Sequence, residues 1–157
     1  MTRGAELVSK DLAEGGPAPM ILPPQGGRVI LVGVRAKNID PCGVELFGSI
    51  RDEATSQVRL DQRTTNLAPK GDVAESIPED ISSYTNIPTC PNQWASVDVD
   101  GSSFEVTVSV TDRGGRTASK TLHAVPFCSE PENEAECLCK CQEGYMLGQV
   151  CPGSPQP

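Results

Sequence analysis

The stretch FEVTVSVTDRGGRTASKTLHAV, residues 104–125, constrains the fold more than any other. Phe104, Val106, Val108 and Val110 alternate with Glu105, Thr107, Ser109 and Thr111. A period of two puts the apolar set on one face of a strand and the polar set on the other. Asp112-Arg113-Gly114-Gly115 then supplies turn residues, because Gly reaches positive φ freely and Asp can hydrogen-bond its own turn backbone. A second run rich in Thr and Ser follows to Val125. The pattern predicts a β-hairpin with one buried face.

The same alternation recurs upstream. Ile30, Val32, Val34 and Ala36 form one face of an expected strand that begins near Arg28. Asn38 to Gly43 is a turn cluster. Val44, Leu46, Gly48 and Ile50 point one way in the next strand, and Glu45, Ser49 and Arg51 the other. A further strand is expected over residues 57–66, with Val58 and Leu60 inward. Residues 68–92 carry Pro69, Gly71, Pro78, Pro88 and Pro91. A loop of that length without structure is uncommon in a compact domain, so a short edge strand or helical turn is expected near residues 77–84. Residues 93–99 are expected to return as a strand, with Trp94 packed in or at the end of the core. The count reaches about seven short antiparallel strands, and their closure is a two-sheet β-sandwich.

Two flanks complete the organisation. Residues 1–14 suit a weak amphipathic helix through Ala5, Leu7, Val8 and Leu12, or a tail. Residues 15–27, GGPAPMILPPQGG, read as a Pro/Gly-rich extended tether, so 1–27 forms a flexible lead. The sandwich spans 28–126. Residues 127–157 form a Cys-rich tail that has too little core to stay folded without bridges.

Seven Cys in 157 residues, five of them in the last 30, read as a disulfide framework and an oxidising address: secreted, periplasmic or cell-surface. The disulfide candidates are Cys42, Cys90, Cys128, Cys137, Cys139, Cys141 and Cys151, and the odd count leaves one thiol over. Cys141 is expected to pair with Cys151, and Cys128 with Cys137 or Cys139. Cys42 and Cys90 flank the sandwich and could pair, a crosslink worth roughly 3–4 kcal/mol. The first residues carry charges and no apolar run, so a signal segment or lipid-modified Cys is expected upstream of residue 1. No stretch is long enough to span a bilayer.

The remaining chemistry is sparse. A net charge of −8 offers no basic field for nucleic acid. The single His, His123, lies on the outer, Thr-rich side of a strand, and no phosphate-binding Gly loop or nucleophile elbow accompanies it. The chain is expected not to be an enzyme and to need no cofactor or metal. Asp98, Asp100, Asp112 and Asp40 sit in turns and offer hard oxygens to calcium, but without the later bidentate acid of a calcium loop. Cys137-x-Cys139-x-Cys141 could bind zinc or copper(I), although structural zinc sites use wider Cys pairs.

Residues 32–52 together with the 104–125 hairpin resemble the Ig-like and fibronectin-III-like modules of bacterial surface lipoproteins. Cys139-Lys140-Cys141-Gln142-Glu143-Gly144-Tyr145 followed by Cys151 is similar to the closing half of an EGF-like module. The resemblance implies an all-β, antiparallel Ig-like sandwich with a disulfide-rich C-terminal tail, tethered at the cell envelope. Its role would be structural or adhesive, with a protein or glycan as partner. The alternative from another class is a thiol-based redox sensor or metal carrier acting through the C-x-C-x-C cluster.

Overall fold

The structure, a computed structural model, describes residues 10–153. Of the helix expected over 1–14, the part with Ala5, Leu7 and Val8 lies outside them, and the part with Leu12 is not helical. Ten strands and little helix make up the described chain: β1 (Gly16–Met20), β2 (Arg28–Val32), β3 (Arg35–Lys37), β4 (Val44–Arg51), β5 (Val58–Thr65), β6 (Ala68–Lys70), β7 (Val73–Glu75), β8 (Thr85–Cys90), β9 (Phe104–Thr111) and β10 (Thr117–Cys128), followed by α1 (Glu134–Cys141). A five-stranded sheet has the order β1-β10-β9-β4-β5. A two-stranded sheet, β2-β8, and a three-stranded one, β3-β7-β6, make up the rest.

The β9–β10 hairpin forms as its pattern dictates. Phe104, Val106 and Val110 are buried. Asp112 N–H donates to the Arg116 carbonyl across the turn, and Gly115 takes φ 86°, the left-handed value its position needs. Strand β4 buries Val44, Leu46 and Ile50 completely. At Gly48 a Cβ would approach the Thr85 side chain to within 2.5–2.8 Å. The glycine therefore lets β8 close onto β4.

The core divides along the strands. At one end Ile30, Ile87, Phe104, Val106 and Leu122 pack with Trp94 and the α1 cysteines. At the other, Val44, Leu46 and Val110 pack with Ala36, Leu67 and Ala74.

Several expectations are corrected. The tether expected over 15–27 contains β1, which pairs in parallel with residues 124–128 of β10 and buries Ala18 and Met20. Pro suits a strand at a sheet edge, where a missing N–H costs little, so a Pro-rich stretch can be extended and docked at once. With one parallel pair, the sheet is mixed rather than wholly antiparallel. The single strand expected from Arg28 to Ala36 breaks at Gly33-Val34 into β2 and β3, which belong to different sheets.

In β5 the period holds but the phase is opposite: Val58 and Leu60 are exposed at 38% and 52%. Arg59, Asp61 and Arg63 take the sheltered side, where Asp61 accepts from Asn86 N–H at 2.7 Å and from Arg63 at 2.8 Å. Inward-pointing charge on an edge strand blocks pairing with a second chain. Residues 93–99 form a loop rather than a strand. Asn92 explains it: its Oδ1 accepts from the N–H of Ala95, and its Nδ2 donates to the Val97 carbonyl. Between residues 68 and 92 lie β6, β7, a 3-10 turn at Ile81–Ser83 and β8.

Candidate functional site

Six of the seven cysteines gather where α1 meets the ends of β8 and β10. Cys137 and Cys141 are one helical turn apart, so both face inward, and Cys139 faces away. Cys141 is bonded to Cys90 at the end of β8, Cys137 to Cys128 at the end of β10, and Cys139 to Cys151. Cys42 is free and exposed. The pairing of Cys42 with Cys90 and that of Cys141 with Cys151 are both overturned. Cys42 sits in the β3–β4 turn beside the far core cluster, while Cys90 is buried against Met20 and Trp94. The legible clue was E-A-E-C-L-C-K-C itself. Helical spacing separates Cys139 from the other two, and the likeness to an EGF-like ending hid it.

The junction is braced by more than sulfur. The last carbonyls of a helix lack partners within it. Here Asn92 N–H donates to the Lys140 carbonyl and Val99 N–H to the Cys141 carbonyl, each at 2.8 Å. Gln93 Nε2 reaches the Tyr145 carbonyl at 2.7 Å, and Asp98 accepts from Glu143 N–H at 2.7 Å. Arg28, 1% exposed, donates Nη1 to the Gly27 carbonyl and Nη2 to that of Asn133, and stands 3.9 Å from Glu136. Glu136 also pairs with Lys140 at 2.7 Å. Trp94 donates Nε1 to the Thr89 carbonyl at 2.8 Å and packs against Phe104 with ring centroids 5.2 Å apart. The tail is thus bolted into the main core, and α1 replaces the hairpin that an EGF-like ending would place there.

The turn carboxylates work on backbone, not on each other. Asp112 accepts from Asp40 N–H at 3.1 Å and from Arg116 N–H and Nε at 2.9 and 2.8 Å. These donors, Asp40 N–H first, hold its carboxyl below the usual range. Asp52 takes both N–H and Oγ of Ser96 at 2.7 Å, and its carboxyl is held low chiefly by that N–H. Asp100 accepts from Cys128 N–H at 2.7 Å. Among the described residues, the group of three metal-binding side chains that converges is Cys128, Cys137 and Cys141, with ligand atoms within 4.8 Å of one another. All three sulfurs are in disulfides.

His123 is held on both ring nitrogens. Nδ1 lies 2.7 Å from Glu14 Oε1 and Nε2 3.2 Å from Glu53 Oε1, while its N–H donates to Glu14 Oε2 at 3.0 Å. The Glu14 contact, then the Glu53 contact, raise its pKa, and the His123 N–H lowers that of Glu14. Glu105 stands opposite His123 on β9 and pairs with Arg51 at 3.2 Å. The arrangement clasps residues 14 and 53 onto the sheet.

No family model, no curated protein and no solved structure matches this chain. No helix among the described residues is long and apolar enough to cross a membrane. Three disulfides point to an oxidising, extracytoplasmic environment.

Proposed function

We propose that the chain is a non-enzymatic, extracytoplasmic binding or structural module with an Ig-like sandwich, holding a protein or glycan at the cell envelope. The observation that carries the reading is the Cys90–Cys141 bond, which spans 51 residues and joins the tail to the sandwich. A crosslink of that span is worth about 4 kcal/mol, and only an oxidising compartment preserves it. The Ig-like assignment is supported by a final strand with β1 parallel on one side and β9, then β4, antiparallel on the other, packed over the β2-β8 pair.

The test uses the free Cys42. A membrane-impermeant maleimide applied to intact cells should label Cys42 alone, and peptide mapping should return the three disulfides. Labelling that appears only after lysis, at several cysteines, would overturn the extracytoplasmic reading.

One observation favours a second reading, a thiol switch or metal carrier. Cys137 Sγ and Cys141 Sγ lie 3.9 Å apart although they belong to different disulfides. Reduction of both bonds would leave neighbouring thiols. Retention of zinc by the protein as isolated, with the six cysteines alkylatable without reductant, would put this reading first.

A further inference from the structure

Among the described residues, the five-stranded sheet is not closed on the β10 side. Strand β1 covers residues 124–128 of β10, and the ladder ends where Gly15 N–H donates to the His123 carbonyl at 2.8 Å. His123 turns both its N–H and its carbonyl away from β9. In an antiparallel pair the direction of these groups repeats every second residue. Thr121, Ser119 and Thr117 therefore also present N–H and C=O at the free edge. The close hydroxyl pairs Thr107–Thr121 and Thr111–Thr117, each 2.9 Å, fit the narrow, non-hydrogen-bonded positions this assigns.

A second free edge faces the first. Ser76 N–H donates to the Val34 carbonyl, and Val34 N–H donates to Ser76 Oγ, so even-numbered residues of this run face β7. Arg35 and Lys37 of β3 then turn their backbone groups outward. Between the two edges runs a cleft of about 590 Å³. Its floor is the half-covered inner face of the sandwich, with Val34, Val108 and Ala118 packed against the far core cluster.

The charge of the rim differs from that of the chain. Arg35, Lys37 and Lys120 line the cleft against one acid, Asp11, on a chain of net charge −8. Arg35 is paired with Asp11 and Glu75, and Lys37 lies 3.9 Å from Asp72. Lys120 has no ion-pair partner among the described residues, although it occupies the inward phase of β10 between Ala118 and Leu122. The opposite edge, β5, is shielded by inward charges that have partners.

We infer that this cleft takes an extended segment of a partner protein by strand addition to β10, with apolar residues on the valine floor and an acidic residue against Lys120. Main-chain bonds to Thr117, Ser119 and Thr121 supply affinity, and the floor and Lys120 supply the selection. The inference deepens the binding-module reading and rests on it.

The experiment uses the full oxidised chain and a fluorescein-labelled, acetylated eight-residue peptide alternating Val and Asp, with a Val/Lys counterpart. At about 0.15 M salt the Debye length is about 8 Å, so contacts at the cleft outweigh the distant acidic field. The Val/Asp peptide should bind at least tenfold more tightly than Val/Lys, against the sign of the protein's net charge. Ser119→Pro removes one edge N–H without touching the β9 ladder, and should weaken binding at least tenfold. Ser119→Ala should not. Lys120→Glu should invert the peptide preference. Unchanged near-ultraviolet Trp94 signal in each variant shows that the fold is kept.

A Val/Asp peptide that fails to bind, or that binds Ser119→Pro as well as wild type, overturns strand addition. So does self-association that Ser119→Pro abolishes, which would assign the edge to a second copy. Cell-surface labelling of Cys42 and the disulfide map are read without the peptide, so failure here is distinguishable from failure of the module reading.

Discussion

The two ends of the core share β4 and β9 and are held by different means. At one end Trp94, Phe104 and the inward cysteines of α1 fill the core, and two disulfides lock it. At the other, Leu46, Val110 and Ala74 pack with no crosslink, beside a free Cys42 and an open cleft. Crosslinks act mainly by restricting the unfolded chain, whereas packing acts through apolar area and close fit in the folded one. An end secured by sulfur can carry loops and a short helix. An end that relies on packing alone depends on each side chain, and it is where the fold leaves an edge open.

The sharpest way to break the contrast is to remove its main bolt. Replacing Cys90 and Cys141 together with Ala should cost about 3–5 kcal/mol and release α1, read by denaturant unfolding and by loss of the Trp94 near-ultraviolet signal. A small loss with α1 still docked would mean that Arg28 and the capped helix carbonyls hold the junction themselves. At the other end Leu46→Ala should cost about 2–5 kcal/mol, because Leu46 is fully buried. Leu60→Ala should stay within about 0.5 kcal/mol, because Leu60 is half exposed on β5. Equal costs for the two leucines would contradict the phase assigned to β5.

Asp112→Ala sharpens the comparison at the level of one turn. It leaves the N–H groups of Asp40 and Arg116 without their acceptor. The expected loss is about 1–3 kcal/mol, measured by denaturant unfolding. Hydrogen exchange should also separate the ends: amides of residues 117, 119 and 121 should exchange faster than those of 118, 120 and 122.

The smallest effect is a pH dependence. The folded pKa of His123 lies above its unfolded value, so its contribution is complete below the unfolded pKa and is lost as pH rises through the folded one. The folded pKa of Glu14 lies below its unfolded value, so its contribution is present above the unfolded pKa and is lost as pH falls through the folded one. The clasp on residue 14 should hold best between those limits, at mildly acidic pH. Proteolysis near residue 14 should be slowest there and lose that minimum in His123→Gln.

Alternation was legible wherever both partners of a strand face the core. Phe104, Val106, Val44, Leu46 and Ile50 were placed inward from spacing alone, and they are buried. The oxidising character of the chain followed from counting cysteines. Spacing could not reveal the phase of β5, because an edge strand can turn its charged face inward where Asn86 N–H of β8 meets Asp61 and Asp61 meets Arg63. Nor could it show that Pro17 and Pro19 belong to a docked strand, since the feature that marks a tether also suits a sheet edge.

Sequence by itself determined the periods, the turns and the disulfide-rich character, all of which follow from interactions among residues near one another in the chain or from composition. Only the tertiary structure decided which cysteine meets which, that the tail is part of the main core, and that residues 117–121 of β10 have no strand on their outer edge among the described residues. Those outcomes depend on contacts between residues far apart in the chain. Cys90 finds Cys141 because β8 and the capped end of α1 converge, and local spacing carries no record of that meeting.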